Sequence, residues 1–586
     1  MKRILLSMLA VAILSMGGLG ADLAPAQELQ TVATMSISGY DELLADVDFI
    51  GKLGDNAELA QGLEGMLQMM TQGKGLAGLD KTKPIGAVVQ TDGMGFPAYA
   101  FVPVTDLAAL LDVLMGLQGA EAPEEPADGI YELQLDGPPL FATQKGGWAF
   151  VSNAKETLAN VPDDPSLLLA GLSDKYDVAV RASVKNVPAP VKQMAKAQMG
   201  FIAQMGMQQN PGETDDEYAV RKSVMNRGVK QVTTLIDEVD ELLLGVAVDR
   251  DAGTSFLEFE ITALDGTKTA GQFAEMAEAT TDFAGFDLPG AAVTANMSST
   301  LSDEDLEQMK DSLAQMRATA LKELENQGLD GDEAAMATGL MNDLLDVADA
   351  TLAGRKLDAG MVVMLQPGSA TFVAGGAVAK GDTLDALLKK LIEMGAAEQP
   401  GIAQLIKLDA ETHQGVRLHT FSMPTPDPEA AKAIGDTVEV VVGINDTSVY
   451  VAAGSDAIST LKQVIDQSKA QPGKKIPPMR IAVAATPIAG FVAASAPDDD
   501  PSKMMAGMVA GMLQQAGGAD KLTITVDGIT NGARMRLELE KGLMQLVGMA
   551  GQMAGGMMGP GADFSEEGFP EDAPFEEGPA EDDSPF

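Results

Sequence analysis

Apolar and polar positions follow two periods along the chain, and the clearest passage is residues 84–117, PIGAVVQTDGMGFPAYAFVPVTDLAALLDVLMGL. Residues 85–91 are apolar and β-branched, and 97–104 mix aromatic with small apolar side chains. Between them Asp92-Gly93-Met94-Gly95 supplies residues that tolerate positive φ, so the passage predicts two strands joined by a turn. Thr105 and Asp106 then offer an N-cap, and Leu107, Leu110, Leu111, Leu114 and Leu117 recur at helical spacing. The same pattern returns at 360–395, GMVVMLQPGSATFVAGGAVAKGDTLDALLKKLIEMG.

Around the first copy, alternation predicts strands at 30–38, 130–135, 140–144, 147–152, 177–184, 241–248 and 255–263. Helical spacing predicts helices at 41–49, 59–70, 155–160, 191–207, 216–235 and 269–279. From residue 286 the order recurs. Strand 291–298 is followed by helices 303–326 and 334–353, then by the second hairpin and helix. Strands 403–409 and 415–422 match 130–135 and 140–144, and 447–452 with helix 457–465 matches 147–152 and its short helix. Strand 480–485, helix 504–515 and hairpin 521–527/533–540 complete the series. Met35 and Met297 are taken as equivalent, 262 apart, and Leu107 and Leu384, 277 apart. Loop insertions produce such a drift. The expected fold is therefore α+β: two tandem pseudo-repeats, 27–285 and 286–547, each a largely antiparallel sheet with packed helices. The unit is far longer than a solenoid repeat, which predicts two related lobes.

The two ends differ from this body. Lys2 and Arg3 precede an apolar run at 4–16, and Ala24-Pro25-Ala26 fits a cleavage site, so residues 1–26 are expected to be a signal peptide. Cleavage after Ala21 is the alternative. Export places the protein in a periplasm or outside the cell. Residues 548–586 are expected to be a Gly/Met linker and a disordered acidic tail; 562–586 hold ten acidic side chains and no basic one. The longest later apolar run, 481–496, contains Pro487 and is too short for a membrane span, so no transmembrane segment is expected after cleavage.

Composition narrows the chemistry. The formal charge is −45, which opposes nucleic acid and anionic lipid surfaces. Cysteine is absent, which removes disulfides, thiolate metal sites and thiol catalysis, and two histidines leave little acid–base chemistry. Gly73-Lys74-Gly75-Leu76-Ala77-Gly78 spells G-x-G-x-x-G, but it follows a helix and precedes a strand, the reverse of a dinucleotide site. Ser459 and Lys462 form S-x-x-K without the accompanying motifs of that enzyme class. His413 and His419 lie roughly 20 Å apart on a continuous strand, too far for one metal ion, and are expected to be exposed structural side chains. Asp498-Asp499-Asp500, Asp330-Gly331-Asp332-Glu333 and Asp215-Asp216-Glu217 lack the ligand spacing of a calcium loop. Met504, Met505, Met508 and Met512, and Met549, Met553 and Met557, share helix faces suited to packing, partner contact or Cu(I). Phe564, Phe569, Phe575 and Phe586 punctuate the tail like short docking anchors.

With GYDELLADVDFIGKLGDN (39–56), GLDKTKPIGAVVQTDG (78–93) and FVPVTDL (101–107), the chain resembles exported proteins typical of planctomycete-type bacteria. The resemblance covers most of the first repeat; it implies secretion and brings no activity or site residues with it. The functional expectation is an exported, non-enzymatic binding or scaffold protein of the cell envelope, with a protein partner and no nucleic acid. No catalytic, cofactor-binding or metal residue is assigned, and no cofactor. The alternatives are a metal buffer using Met or carboxylates, and a hydrolase-like enzyme with a carboxylate site between the lobes.

Overall fold

The computed structural model describes residues 29–557, except 122, 124–125, 127, 135–137, 327–330, 399–400, 402–403, 426–430 and 432–433. The expected signal peptide and acidic tail lie outside the described residues, as does Asp330. In the first half the strands are β1 (Gln30–Ile37), β2 (Ile85–Thr91), β3 (Ala98–Pro103), β4 (Ile130–Leu133), β5 (Leu140–Lys145), β6 (Trp148–Ser152), β7 (Val178–Ser183), β8 (Val239–Asp249) and β9 (Thr254–Ala263). The second half adds β10 (Thr280–Thr281), β11 (Val293–Thr300), β12 (Lys356–Gln366), β13 (Ser369–Ala377), β14 (Ile406–His413), β15 (Val416–Pro424) and β16 (Thr437–Asn445). It closes with β17 (Ser448–Gly454), β18 (Lys474–Lys475), β19 (Met479–Ala484), β20 (Lys521–Ile529) and β21 (Gly532–Glu540).

Nineteen of these strands form one sheet, while β10 and β18 pair separately. The first half runs β4-β5-β6-β3-β2-β1-β7-β8-β9, every neighbour antiparallel. The sheet then crosses directly from β9 to β21 and continues β20-β19-β11-β12-β13-β17-β16-β15-β14. The protein is thus a mixed α/β protein built on a large antiparallel sheet. The expectation of a separate sheet in each half is corrected. β9 and β21 would each be a bare edge with a row of unpaired amides and carbonyls, and pairing with one another satisfies both.

Counting outwards from the seam, β15 and β16 occupy the places of β4 and β5, and β14 is an additional outermost strand. The expected match of 403–409 and 415–422 to 130–135 and 140–144 is therefore displaced by one strand. The cause is residues 437–445, TVEVVVGIN, to which periodicity assigned no element: three consecutive valines hide the alternation of β16. The apolar run 481–496 divides into the end of β19 and helix Ala485–Ser495, with Pro487 in the helix's first turn, where a missing N–H costs nothing. Helix Lys541–Met557 runs past residue 547, where a linker was expected.

The outer strands of the first half are covered on both faces, and in the second half one face of β12, β13, β16 and β17 lies under a helix. In the first half, helix Leu107–Gln118 lays Leu107, Leu110 and Leu111 over Ala100, Ala142 and Val151. Asp106 caps it by accepting the Ala109 N–H at 3.2 Å. On the other face Leu158, Val161 and Leu169 pack on Val88, Tyr99, Phe101 and Phe150. In the second half, helix Ala457–Ala470 buries Leu461, Val464 and Ile465 against Val362, Val373, Val441 and Ala452, each such side chain contributing about 2 kcal/mol. The central strands are covered differently, and that difference defines the site.

Candidate functional site

A β-strand sends successive side chains to opposite faces, so directly paired residues on neighbouring strands line up in rows on one face. One row crosses twelve strands: Ile85, Ile37, Val178, Val246, Leu257, Leu537, Ile524, Ile481, Ala295, Met361, Ala374 and Val451. The next row on the same face is Ala87, Met35, Val180, Leu244, Phe259, Met535, Val526, Met479, Met297, Ala359, Gly376 and Val449. Neither row contains a charged or hydrogen-bonding side chain, although charged residues make up 21% of the protein. From β1 across the seam to β17 these residues are not core, while Ala87 at the β2 end packs against the side chains under helix Leu107–Gln118. Leu244 is 48% exposed, Val246 44%, Met535 43% and Met297 44%, values that no covering layer would allow. Soluble proteins rarely leave so long an apolar surface open without using it.

The opposite face of the same strands is charged. Glu258 pairs with Arg536 across the seam and is fully buried. Its Oε1 accepts from Lys175 Nζ at 2.6 Å and from the Tyr176 hydroxyl, and its Oε2 accepts from Arg536 Nε at 2.8 Å. Burial alone would push this carboxyl up; the hydrogen bonds from Lys175, Tyr176 and Arg536 outweigh it and hold it down at about 2. Burial, then the bond to Glu258, pushes the Tyr176 phenol up to about 12. Gly245, which pairs with Glu258, is where Tyr176 packs: an added Cβ would lie 2.4 Å from the ring. Arg536 also stacks its guanidinium on Phe256, 3.9 Å from the ring centroid. Lys175 reaches Glu260 as well, at 3.2 Å, so two carboxylates of β9 share one ammonium beside the seam. Glu258, however, is an anchor held ionised at neutral pH and hydrogen-bonded at both oxygens, which is the wrong condition for a general acid.

Of the other titratable clusters, the one around His419 is already satisfied, whereas both Asp46 carboxyl oxygens are buried without a hydrogen-bond donor. Asp385, Asp409 and His419 place ligand atoms within 4.8 Å of one another. His419 Nδ1 accepts the Asp409 N–H at 3.1 Å, so Nε2 carries the proton and donates to Asp385 at 2.8 Å. The Lys389 ammonium sits 3.0 Å from Asp385 and 2.7 Å from Asp409, filling the position a cation would take. His419 is fully buried, against the expectation of exposure, because helix Gly381–Glu398 covers its strand. His413 lies on β14, across the Gln414-Gly415 turn, and contacts Asp466 at 2.8 Å. Asp46, on helix Tyr40–Leu53, is a nearly buried carboxyl beside Asp177, with Arg250 Nε at 3.5 Å. Burial, then the Asp177 carboxylate, raises it to about 7 against the pull of Arg250.

The remaining sequence candidates resolve into local structure. The G-x-G-x-x-G run is a turn between helix Leu59–Met70 and β2; a Cβ on Gly78 would lie 2.2 Å from the Asp106 carbonyl oxygen. Ser459 Oγ donates to the Asp456 carbonyl at 3.0 Å and Lys462 pairs with Glu411 at 2.5 Å, so neither faces the other as nucleophile and base. Asp500 caps helix Pro501–Gln515 and Asp498 pairs with Lys503, while Thr214 and Glu217 form a capping box. Met504, Met505 and Met508 are exposed; the side chains of Met553 and Met557 lie outside the described residues. A cavity of about 410 Å³ beside Tyr450 is lined by hydroxyls already engaged, among them Thr351 and Ser468.

Sequence reasoning did not find the open face. The signal present was β8, ELLLGVAV, apolar at both parities, which predicts a strand buried on both sides. Among the described residues, no helix is long and apolar enough to cross a membrane. Comparison with known proteins found no matching family model, no matching curated protein and no matching solved structure.

Proposed function

We propose that the chain is a fused duplication exported as a binding protein, and that it captures an apolar partner on the open face where its halves meet. The pairing register supports the duplication. Phe150 and Tyr450 stand at the same place after two-residue turns. From Phe150 the pairs lead through Phe101, Gly86, Ser36, Ala179 and Gly245 to Glu258. From Tyr450 they lead through Gly375, Gly360, Asn296, Arg480 and Thr525 to Arg536. Six steps from each side end on two residues that are each other's partners, as a local two-fold axis at the seam requires. This register sets Ser36 against Asn296, which moves the Met35–Met297 equivalence by two positions. The duplicated units then meet at about 258 and 536 in space, although the boundary between 27–285 and 286–547 in the chain lies elsewhere.

The observation that carries the binding role is the unbroken apolar double row, exposed at its centre and continuous across the seam. A duplication gives such a face twice the width of either half. Export and a partner in the envelope belong to the same reading, with residues 1–26 removed. The test is an apolar fluorescent dye added to the full chain, with Leu244→Glu and Met535→Glu as the variants. Loss of dye binding at unchanged melting temperature supports the role; undiminished dye binding in both variants refutes it.

A further inference from the structure

The two rows are two residues of strand apart, about 7 Å from centre to centre, so a shallow furrow between them runs perpendicular to the strands. At about 4.8 Å per strand, the eleven strands from β1 to β17 give it a length of roughly 50 Å, and the β2 end is closed where Ala87 packs under helix Leu107–Gln118. Every backbone group along it is committed to the sheet ladder, and none of its side chains carries a charge or a hydrogen-bond donor. A guest there gains nothing from polar groups and would leave any it buried unpaired.

We infer that the furrow holds a long aliphatic acyl chain of a lipid monomer; the inference rests on the open face being the binding surface. Charge selects this occupant. Segment 562–586 carries ten carboxylates and no basic side chain, and the furrow has no Lys or Arg to meet them. A second copy would bring another −45 of charge to the same contact. The same charge keeps the protein off anionic bilayers, so the chain is taken up as a monomer rather than at a membrane surface. The side chains agree. Met35, Met297, Met479 and Met535 are unbranched and adaptable, and Phe259 is the one aromatic ring in the two rows, which suits a flexible aliphatic chain over a planar ring system. The span exceeds the ~15 Å of one bilayer leaflet's chains, leaving room for more than one.

The experiment titrates the full chain, without residues 1–26, with octanoate, hexadecanoate and methyl hexadecanoate, read by displacement of the apolar dye. Half-burial of eight added methylenes predicts that hexadecanoate binds about a hundredfold more tightly than octanoate. Methyl hexadecanoate should match it within about threefold, since the furrow does not read charge. Leu244→Glu and Met535→Glu should each weaken hexadecanoate at least tenfold, with circular dichroism and melting unchanged, while Lys462→Ala has no effect. Dye binding that depends on Leu244 and Met535 but shows no dependence on acyl length overturns the acyl assignment and leaves the face as a binding surface. Dye binding indifferent to both variants overturns the two together. Tight acyl binding only after deletion of 562–586 assigns the furrow to that segment, and a dimer that hexadecanoate cannot dissociate assigns it to a second copy; either overturns the proposal.

Discussion

The two faces of the central strands are made by the same backbone, yet they invert the usual arrangement. On one, Glu258 is fully buried among Lys175, Tyr176 and Arg536; on the other, Leu244 and Val246 stand nearly half exposed. A strand ordinarily turns its apolar residues inward and its charges to water. Here the charges join two halves of a chain and the apolar rows are left free. The difference teaches that burial in this sheet follows what covers each face. Helices Leu107–Gln118 and Ala457–Ala470 cover the outer strands, and the central apolar rows have no such layer.

The largest test of this contrast is on the charged face. Glu258→Gln removes the anion that three donors converge on, and should cost about 3 kcal/mol in urea unfolding. Because Glu258 is held at about 2, well below the ordinary carboxylate range, its contribution is present at neutral pH. It is lost as pH falls from about 4.5 toward 2, and the variant should show no such loss.

Asp46 has the opposite sign. Its folded pKa of about 7 lies above that of the unfolded chain, so the folded state holds a proton that the unfolded state has released. Stability should fall as pH rises from about 4 to 7 and level off above. Asp46→Asn should gain about 2 kcal/mol at pH 8 and nothing at pH 4, measured by chemical denaturation at both. The groups facing it, Asp177, Arg250 and Glu42, remain in place in this comparison.

On the open face the expected stability effects are smaller. Leu244→Glu should change unfolding free energy by less than about 1 kcal/mol, since the side chain already meets water, while removing apolar binding. Val362→Glu, one row away on the covered face of the second half, should unfold the protein or cost more than about 4 kcal/mol. Smallest of all, Lys462→Ala breaks an exposed pair with Glu411 and should shift stability by less than about 0.5 kcal/mol.

Much of the fold was legible where local rules suffice. Hairpin β2–β3 and helix Leu107–Gln118 follow from β-branched runs, a Gly-rich turn and an Asp cap, all within 34 residues. β16 was not legible, because Val440, Val441 and Val442 erase its alternation. The single sheet was not legible either, since the pairing of β9 with β21 joins residues nearly 280 apart in the chain. The site escaped for a related reason. Leu242 to Val248 is apolar on both parities, and only the positions of distant helices decide which parity is covered. Glu258 offered one hint, a charge inside the apolar strand TSFLEFEITA, without showing that Arg536 would answer it.

The central claim is that neighbouring residues of one strand belong to an open apolar face and a closed one. The chain has no cysteine, so thiol labelling can address each position alone. Leu244→Cys and Ala247→Cys, three residues apart on β8, should differ at least a hundredfold in labelling rate under native conditions, with Leu244→Cys the faster and slowed when hexadecanoate is added. Equal, slow labelling of both would mean that the apolar rows are covered, and the account would fail.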